Sequence, residues 1–367
     1  MTVLIFLALS QVSGPQGPAR LEIILLPHAR PAVALALAVS LAAGGCGIVG
    51  KAKEEAGAPG ESAPPPPPAP ALTEQQVRPV LARYVAQSNA VHKLLNAKGA
   101  ATVYTGSSLQ LEAAKYRIFK ANKLRFKPAR YGQVLGASPK FTGHPKWFFA
   151  VMTDRGANPP VRDHIVFVQD REGGPWRAAY APLAAKPVKG PIAPGVDVAD
   201  YPDVVPEADA SLVLAPNQVA PALADAVNRG SQSGHLRSFT VPAWAKQKRA
   251  SLLQDRKTFR AQRWAGTAAY SGAKTPVYAV RTTSGGALVW SAIELTESFR
   301  HAGKGAGITW KHRDWGDLLR PFTGRSSMKR AITTVERIEL LTYVPPKGRG
   351  TVKVIAFRWA PIRVTGS

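Results

Sequence analysis

Two short motifs place a serine three residues before a lysine, a spacing at which the lysine amine can activate the serine hydroxyl for nucleophilic attack. They are Ser271-Gly272-Ala273-Lys274 and Ser326-Ser327-Met328-Lys329. Enzymes that use this pair also carry Ser-Asp-Asn and Lys-Thr-Gly elements. The chain has neither element, and Lys274-Thr275-Pro276 comes nearest. Because serine and lysine are both frequent here, about one such match is expected by chance, and we predict no catalytic serine.

The histidines are spaced too widely to predict a metal site. Zinc sites on helices need His-x-x-x-His pairs, and the seven histidines are scattered without such a pair. Glu297 and His301 stand four residues apart, but two ligands do not make a site. The glycine-rich phosphate-binding motifs and the Gly-x-Ser-x-Gly motif of serine hydrolases are also absent. We therefore predict no metal, no cofactor and no enzymatic activity.

Two basic segments are better candidates, because clustered ammonium and guanidinium groups attract anions. The first comprises Lys115, Arg117, Lys120 and Lys123, and the second comprises Lys246, Lys248, Arg249, Arg256, Lys257 and Arg260. A charge run of this kind is usually only the solvated face of a helix. Its recurrence in both halves of the chain favours a binding role, and both interpretations stay open.

The single cysteine, Cys46, directly follows the small residues Leu41-Ala42-Ala43-Gly44-Gly45. An apolar run over 31–40 precedes them, and Arg20 and Arg30 supply a basic flank. This order resembles the signal peptide of bacterial lipoproteins. In that family the cysteine becomes the lipidated first residue of the mature protein. The resemblance implies lipid attachment at Cys46 and a location on the outer face of the cytoplasmic membrane.

Two features of the N-terminal region qualify this prediction. The run from Ala32 to Gly45 is shorter than the roughly 18–20 residues that cross a bilayer, so we do not predict a transmembrane anchor. A second apolar run over 3–9 lies further upstream, where a signal peptide would normally begin. We expect translation to start downstream, at a non-Met codon near Leu25 or Leu26.

The net charge favours an anionic neighbour. The chain carries a formal charge of +25, and removing residues 1–45 with Arg20, Glu22 and Arg30 leaves +24. Acidic lipid headgroups and phosphate-rich wall polymers are the expected partners, because export makes nucleic acid an improbable one. With one cysteine, the chain has no intramolecular disulfide. Its stability therefore depends on an ordinary hydrophobic core.

Composition divides the chain into four segments. Residues 1–45 are the predicted signal peptide, and residues 46–71, with five consecutive prolines from Pro64 to Pro68, are a predicted disordered tether. Residues 72–200 and 208–367 are two predicted lobes. They are separated by a region over 182–207 that is rich in Pro, Gly and Asp.

Each lobe begins with helical patterns and continues with strand-like runs. In the first, a capping box at Thr73 and Gln76 starts a helix, a second helix covers 109–123, and strands follow over 147–151, 164–168 and 176–181. In the second, helices over 217–229 and 243–259 precede hairpins over 276–293 and 332–359. The predicted fold class is α+β, with two lobes in which a helix pair packs on a curved antiparallel sheet, consistent with a duplication.

Each lobe is similar to the nuclear-transport-factor-like or cystatin-like folds. The whole chain resembles actinobacterial secreted lipoproteins of unknown function, a resemblance that implies location and carries no activity. We predict a non-enzymatic, membrane-anchored surface lipoprotein with a binding or envelope-support role. Two alternatives stay open: a solute-binding component of a transporter, and a hydrolase that modifies the cell wall.

The lipid anchor leads to a direct test. Replacing Cys46 with Ala removes the sulfur that would carry the lipid, so the variant should lose its firm membrane attachment. Cell fractionation measures this, with the parent protein as reference. A Cys46→Ala variant that stays as firmly membrane-bound as the parent contradicts the lipoprotein prediction.

Overall fold

The computed structural model describes residues 67–158, 160–184, 192–261, 263–303, 307–309, 315–325 and 327–367. The predicted signal peptide, Cys46 and most of the predicted tether lie outside these ranges. The predicted capping box is present, because the backbone N–H of Thr73 donates to Gln76 Oε1 over 2.8 Å. In the described ranges no helix is both long and apolar enough to cross a membrane.

Six α-helices and fifteen strands make up the described fold. The helices are α1 Glu74–Leu94, α2 Ala97–Ala100, α3 Gly106–Ala121, α4 Pro216–Arg229, α5 Ala243–Ala261 and α6 Trp315–Thr323. The first seven strands are β1 Ala69–Pro70, β2 Tyr131–Ala137, β3 Lys140–Phe141, β4 Lys146–Asp154, β5 Val161–Gln169, β6 Arg177–Tyr180 and β7 Leu183–Ala184. The others are β8 Phe239–Thr240, β9 Trp264–Gly272, β10 Tyr278–Arg281, β11 Ala287–His301, β12 Ile308–Thr309, β13 Ser327–Met328, β14 Ala331–Val344 and β15 Val352–Gly366.

Eleven of these strands form one sheet. Its main path runs β10-β11-β14-β15-β7-β5-β4-β2, while β9 pairs with β11, β6 with β5 and β8 with β15. All these pairs are antiparallel except β8 with β15. The sheet has two halves, one with β2, β4, β5 and β6 and the other with β8 to β11, β14 and β15. The two-residue strand β7 joins these halves, because Leu183 pairs with both Asp163 and Phe357. The α+β class and the antiparallel pairing are confirmed, but one large sheet stands where a separate sheet in each lobe was predicted.

The two halves of the sheet pack face to face around a shared apolar layer. Phe149 of β4 and Val166 of β5 lie in the same buried cluster as Trp290 of β11 and Leu341 of β14. The rings of Phe149 and Trp290 are 4.9 Å apart, and Trp290 Nε1 donates to the carbonyl oxygen of His164 over 3.1 Å. Strands buried on both faces read as continuous apolar runs, which is why β4 lacks alternation.

Helices cover the outer faces of this double layer. On one side, Val77, Leu81 and Tyr84 of α1 pack on Phe148 and Phe167. On the other side, apolar residues of α4 and α5 pack on β9, β11 and β14 (Val219, Leu223, Val227, Ala245, Leu252, Tyr270, Ile293 and Leu340). The layer order is helix, sheet, sheet, helix, and each apolar sheet face is covered.

The region predicted as a linker over 182–207 contributes to the core. It contains β7, and Ile192, Ala193 and Val205 are buried. The predicted boundary between the lobes 72–200 and 208–367 falls close to these buried residues. The division into two lobes stays a prediction.

A substitution in the shared layer should destabilise the whole fold. Trp290 is fully buried, so Trp290→Ala should lower the free energy of unfolding by about 3–5 kcal/mol. Urea denaturation followed by far-UV circular dichroism and fluorescence should show one coincident transition. Leu253→Ala is the control, because the Leu253 side chain is exposed and its loss should change stability by less than about 0.5 kcal/mol. Two separate transitions, or a loss near that of the control, would contradict the shared layer.

Candidate anion-binding sites

The ten predicted basic residues divide into an inward and an outward group. Lys115, Lys248 and Arg256 are partly buried against the protein itself. The other seven are exposed: Arg117, Lys120, Lys123, Lys246, Arg249, Lys257 and Arg260. Lys115 and Lys248 pair with carboxylates, and Arg256 donates to a backbone carbonyl oxygen, so all three bind the protein itself. They act in packing, and the outward residues are the ones available to a ligand.

Lys115 belongs to a buried charged network between α1 and α3. Its Nζ lies 3.1 Å from the carboxylate of Glu112, and His92 Nε2 lies 3.1 Å from the other carboxylate oxygen. Burial alone would raise the pKa of Glu112, but Lys115, His92 and Arg358 outweigh it and hold the pKa well below its usual range. Burial lowers the pKa of His92, and the neighbouring carboxylate of Glu112 acts against this shift.

Arg358 of β15 extends the network to the sheet. Its guanidinium donates to Glu112 Oε1 over 2.8 Å, and to Glu339 Oε2 and Ser108 Oγ over 2.9 Å each. Glu339 is fully buried, and it also accepts the backbone N–H of Ala181. Two carboxylates thus face Lys115 and Arg358, and the formal charges balance. The geometry fits a structural role, because buried charges persist only when they are paired and hydrogen-bonded.

Lys248 makes a similar inward contact on α5. Its Nζ lies 3.2 Å from Glu336 Oε1 and 3.7 Å from Glu297 Oε2. Both carboxylates are buried on the sheet. Arg256, two turns later, donates to the carbonyl oxygen of Ala268 over 3.0 Å. Lys248 and Arg256 therefore fasten α5 to β9, β11 and β14.

The basic helices α3 and α5 lie on opposite faces of the C-terminal strands. Ser108 of α3 donates to Glu339, whereas Lys248 of α5 contacts Glu336. Residues separated by an odd number of positions along a strand point to opposite faces. Since 336 and 339 differ by three, the sheet separates the two helices. The basic segments do not form one surface, and each must be judged alone.

The outward face of α5 carries one continuous basic stripe. The stripe consists of Lys246, Arg249, Leu253, Lys257 and Arg260, all exposed. Their spacing of three or four residues places them on one side of the helix. Leu253, in the middle, leaves 58% of its surface exposed. We call this set the α5 stripe; it joins four cations to one exposed apolar side chain.

Arg249 of the stripe lies over Gly230, which ends α4. Gly230 has a φ of 56°, and a Cβ there would approach within 2.0 Å of an Arg249 guanidinium nitrogen. The positive φ favours glycine, because other residues rarely adopt it. The close approach to Arg249 does not add to this requirement, because that side chain is long and exposed.

The Ser-x-x-Lys motifs and the acidic and histidine residues, which were not predicted to form a site, gain no support as one from the geometry. Ser271 and Lys274 are both exposed, and Ser326 lies outside the described ranges. Among the residues that the structure describes, no three His, Cys, Asp or Glu side chains come together in a way that could hold a metal ion.

The comparisons with known proteins give a family and no activity. The described part of the chain is a mixed α+β fold on a large antiparallel sheet. A family described as "Domain of unknown function (DUF8094)" matches residues 68–366, and the chain belongs to this family. No curated protein and no solved structure matches the chain.

The sequence contained a signal for the buried network that the predictions did not use. Glu336, Arg337 and Glu339 interrupt an otherwise apolar strand, β14. Charged residues within a buried strand must meet partners of opposite charge. Lys248 of α5 pairs with Glu336, Arg358 of β15 pairs with Glu339, and Glu294 of β11 pairs with Arg337.

The inward and outward lysines of α5 should respond differently to substitution. Lys248→Met leaves two buried carboxylates without this ammonium group, so unfolding free energy should fall by about 3–5 kcal/mol. Lys246→Met removes the same charge from an exposed position and should change it by less than about 0.5 kcal/mol. Urea denaturation of both variants measures the difference. Equal stability of the two would mean that Lys248 does not fasten the helix.

Proposed function

We propose that this protein is a non-enzymatic lipoprotein, anchored at Cys46 on the outer face of the cytoplasmic membrane, whose α5 stripe binds anionic lipid headgroups. The observation that carries the proposal is the stripe itself. It combines four exposed cations with exposed Leu253 on one side of a 19-residue helix. Exposed Lys and Arg side chains are attracted to anionic headgroups, and an exposed leucine beside them can enter the boundary between headgroups and acyl chains.

The expected energies are sufficient for reversible contact. Lys and Arg near an anionic membrane contribute about 1 kcal/mol each, and this attraction decays within a Debye length. Four such residues on the stripe would contribute about 4 kcal/mol. The predicted tether over 46–71 reaches tens of ångströms where extended, so it lets the folded body approach the membrane and leave it.

Leu253 favours lipid over a wall polymer as the partner. A phosphate-rich polymer would meet the four cations, but it offers no apolar phase for a leucine side chain. Inserting an exposed leucine into the acyl boundary gains about 1.5–3 kcal/mol at full burial. The apolar residue amid the charges therefore points to a lipid surface.

The structure of the core and of its buried charges argues against the two alternative functions, a solute-binding component and a cell-wall hydrolase. A transporter's solute-binding component would need a hinged cleft between two lobes, whereas Phe149 and Trp290 fill the space between the two halves of the sheet. A wall hydrolase would need convergent nucleophilic or acidic groups. The buried carboxylates described here are paired with Lys115, Lys248 and Arg358 instead.

The finer predictions about the fold are part of the same proposal. We propose that 72–200 and 208–367 arose by duplication of a unit similar to nuclear-transport-factor-like or cystatin-like folds. In its support, each half has helices followed by antiparallel strands, and α1 covers the outer side of one sheet half while α4 and α5 cover the outer side of the other.

Co-sedimentation with vesicles tests the lipid contact. The protein would be residues 46–367 with Cys46→Ala, so that no lipid anchor contributes. A stripe variant with Gln at Lys246, Lys257 and Arg260 should bind anionic vesicles about 100-fold more weakly at low salt, at about 1 kcal/mol per cation. Binding by the parent should also fall steeply as salt rises.

A matched control changes the same charge on the other side of the sheet. Gln at Lys120, Lys123 and Arg125 also removes three exposed cations, and binding should fall less than about threefold. Equal losses in the two triple variants would show that net charge alone acts. Binding to an anionic wall polymer without binding to anionic vesicles would contradict the lipid proposal.

A further inference from the structure

A groove with a volume of about 410 Å³ lies between α3, α6 and the strands β11, β14 and β15. Three arginines, Arg117, Arg337 and Arg363, line it together with Glu294 and the apolar side chains of Phe322 and Ile362. This volume lies within the range of about 300–1,000 Å³ that small-molecule sites occupy. The groove is on the α3 side of the sheet, away from the α5 stripe.

The geometry of α3 and β15 places these side chains along the same groove. On α3, the groove residues Gln110, Ala113, Ala114 and Arg117 are spaced by three or four positions, and so share one face. On β15, Val335 pairs with Arg363 while Glu336 pairs with Pro361, which leaves Ile362 as an extra residue. Such a bulge re-aims side chains, and here both Ile362 and Arg363 line the groove.

Arg337 supplies a cation that is only partly neutralised. It is 5% exposed, and its Nε donates to Glu294 Oε1 over 3.1 Å while its Nη2 contacts the same oxygen. Its Nη1 is buried and has no hydrogen-bond partner among the described residues. A buried donor without a partner is costly, so a small movement of Arg337 toward an anionic ligand would gain a charge-assisted hydrogen bond.

The opposite wall is apolar and holds the third cation in place. The Arg117 guanidinium lies over the Phe322 ring, with its carbon 4.9 Å from the ring centroid. Phe322 and Ile362 also pack against Leu111 and Ala114. One part of the groove therefore attracts an anion, and the adjoining part suits a small apolar group.

We propose that this groove binds a phosphate monoester that carries a small apolar group. Three arginines and one glutamate leave a formal charge of +2, and a monoester phosphate above its second pKa of about 6 is a dianion. Arginine forks fit phosphate oxygens two at a time. The apolar substituent lies against Phe322 and Ile362.

Isothermal titration calorimetry on the full-length protein at pH 8 tests this with phenyl phosphate as the probe. Phenyl phosphate should bind about 10-fold or more tightly than inorganic phosphate, which lacks the ring, and phenol should show no binding. The methyl ester of phenyl phosphate is a monoanionic diester like a membrane headgroup. It should bind about 10-fold more weakly, which distinguishes a free monoester from a lipid source.

Variants with opposite expected effects locate the binding. Arg363→Gln should weaken phenyl phosphate binding about 10-fold, whereas Glu294→Gln, which frees Arg337, should strengthen it several-fold. Arg349→Gln removes an exposed arginine at the β14–β15 turn and should leave binding unchanged. Circular dichroism confirms that each variant is folded.

Three results would overturn the proposal: no heat of binding with phenyl phosphate, equal affinity for the monoester and the diester, or equal affinity of the Arg363→Gln and Arg349→Gln variants. These measurements contain no membrane. A failure here therefore leaves the α5 stripe proposal standing, and the vesicle experiment can fail without affecting the groove.

Discussion

The fold depends on the apolar layer between the two halves of the sheet. This layer is formed by Phe149, Val166, Trp290, Leu341 and their neighbours. It therefore requires strands from both halves of the sheet. Each half then needs a cover for its outer face, which α1 and α3 provide on one side and α4 and α5 on the other. With no disulfide available, this burial is the main source of stability.

The same layering decides which charges can act on a partner. Because sheet faces alternate, α3 and α5 are held on opposite sides of β14, and a single anionic surface cannot meet both. Each helix also turns cations inward, Lys115 to Glu112 and Lys248 to Glu336. The high net charge is therefore distributed over separate surfaces, of which the α5 stripe and the arginine groove have local chemistry beyond charge alone.

Local sequence patterns predicted many of the helices and strands, because periodicity and capping depend on residues that are neighbours in sequence. The Thr73 capping box, the positions of β4, β5, β11, β14 and β15, and the helical character of α3 to α5 follow from such patterns. Strands β4, β5, β11 and β15 extend beyond their predicted ranges, and β2 and β9 were not predicted. The packing of one sheet half on the other does not follow from such patterns. A continuous apolar run such as 147–151 predicts burial, but it does not predict which element packs against it. The groove could not be predicted from the sequence either. Arg117 was a predicted binding residue, but Arg337 reaches the groove from β14, and Arg363 lines it beside the bulge in β15.

The central claim is that both sheet halves belong to one cooperative core, and native-state hydrogen exchange tests it most directly. The account predicts that the slowest amides of β4 and β5 and those of β11 and β14 exchange with the same opening free energy. It also predicts that a Trp290→Ala substitution lowers both by the same amount. If only the β11 and β14 amides exchange faster in that variant, while those of β4 and β5 keep their protection, the halves are independent and the account is contradicted.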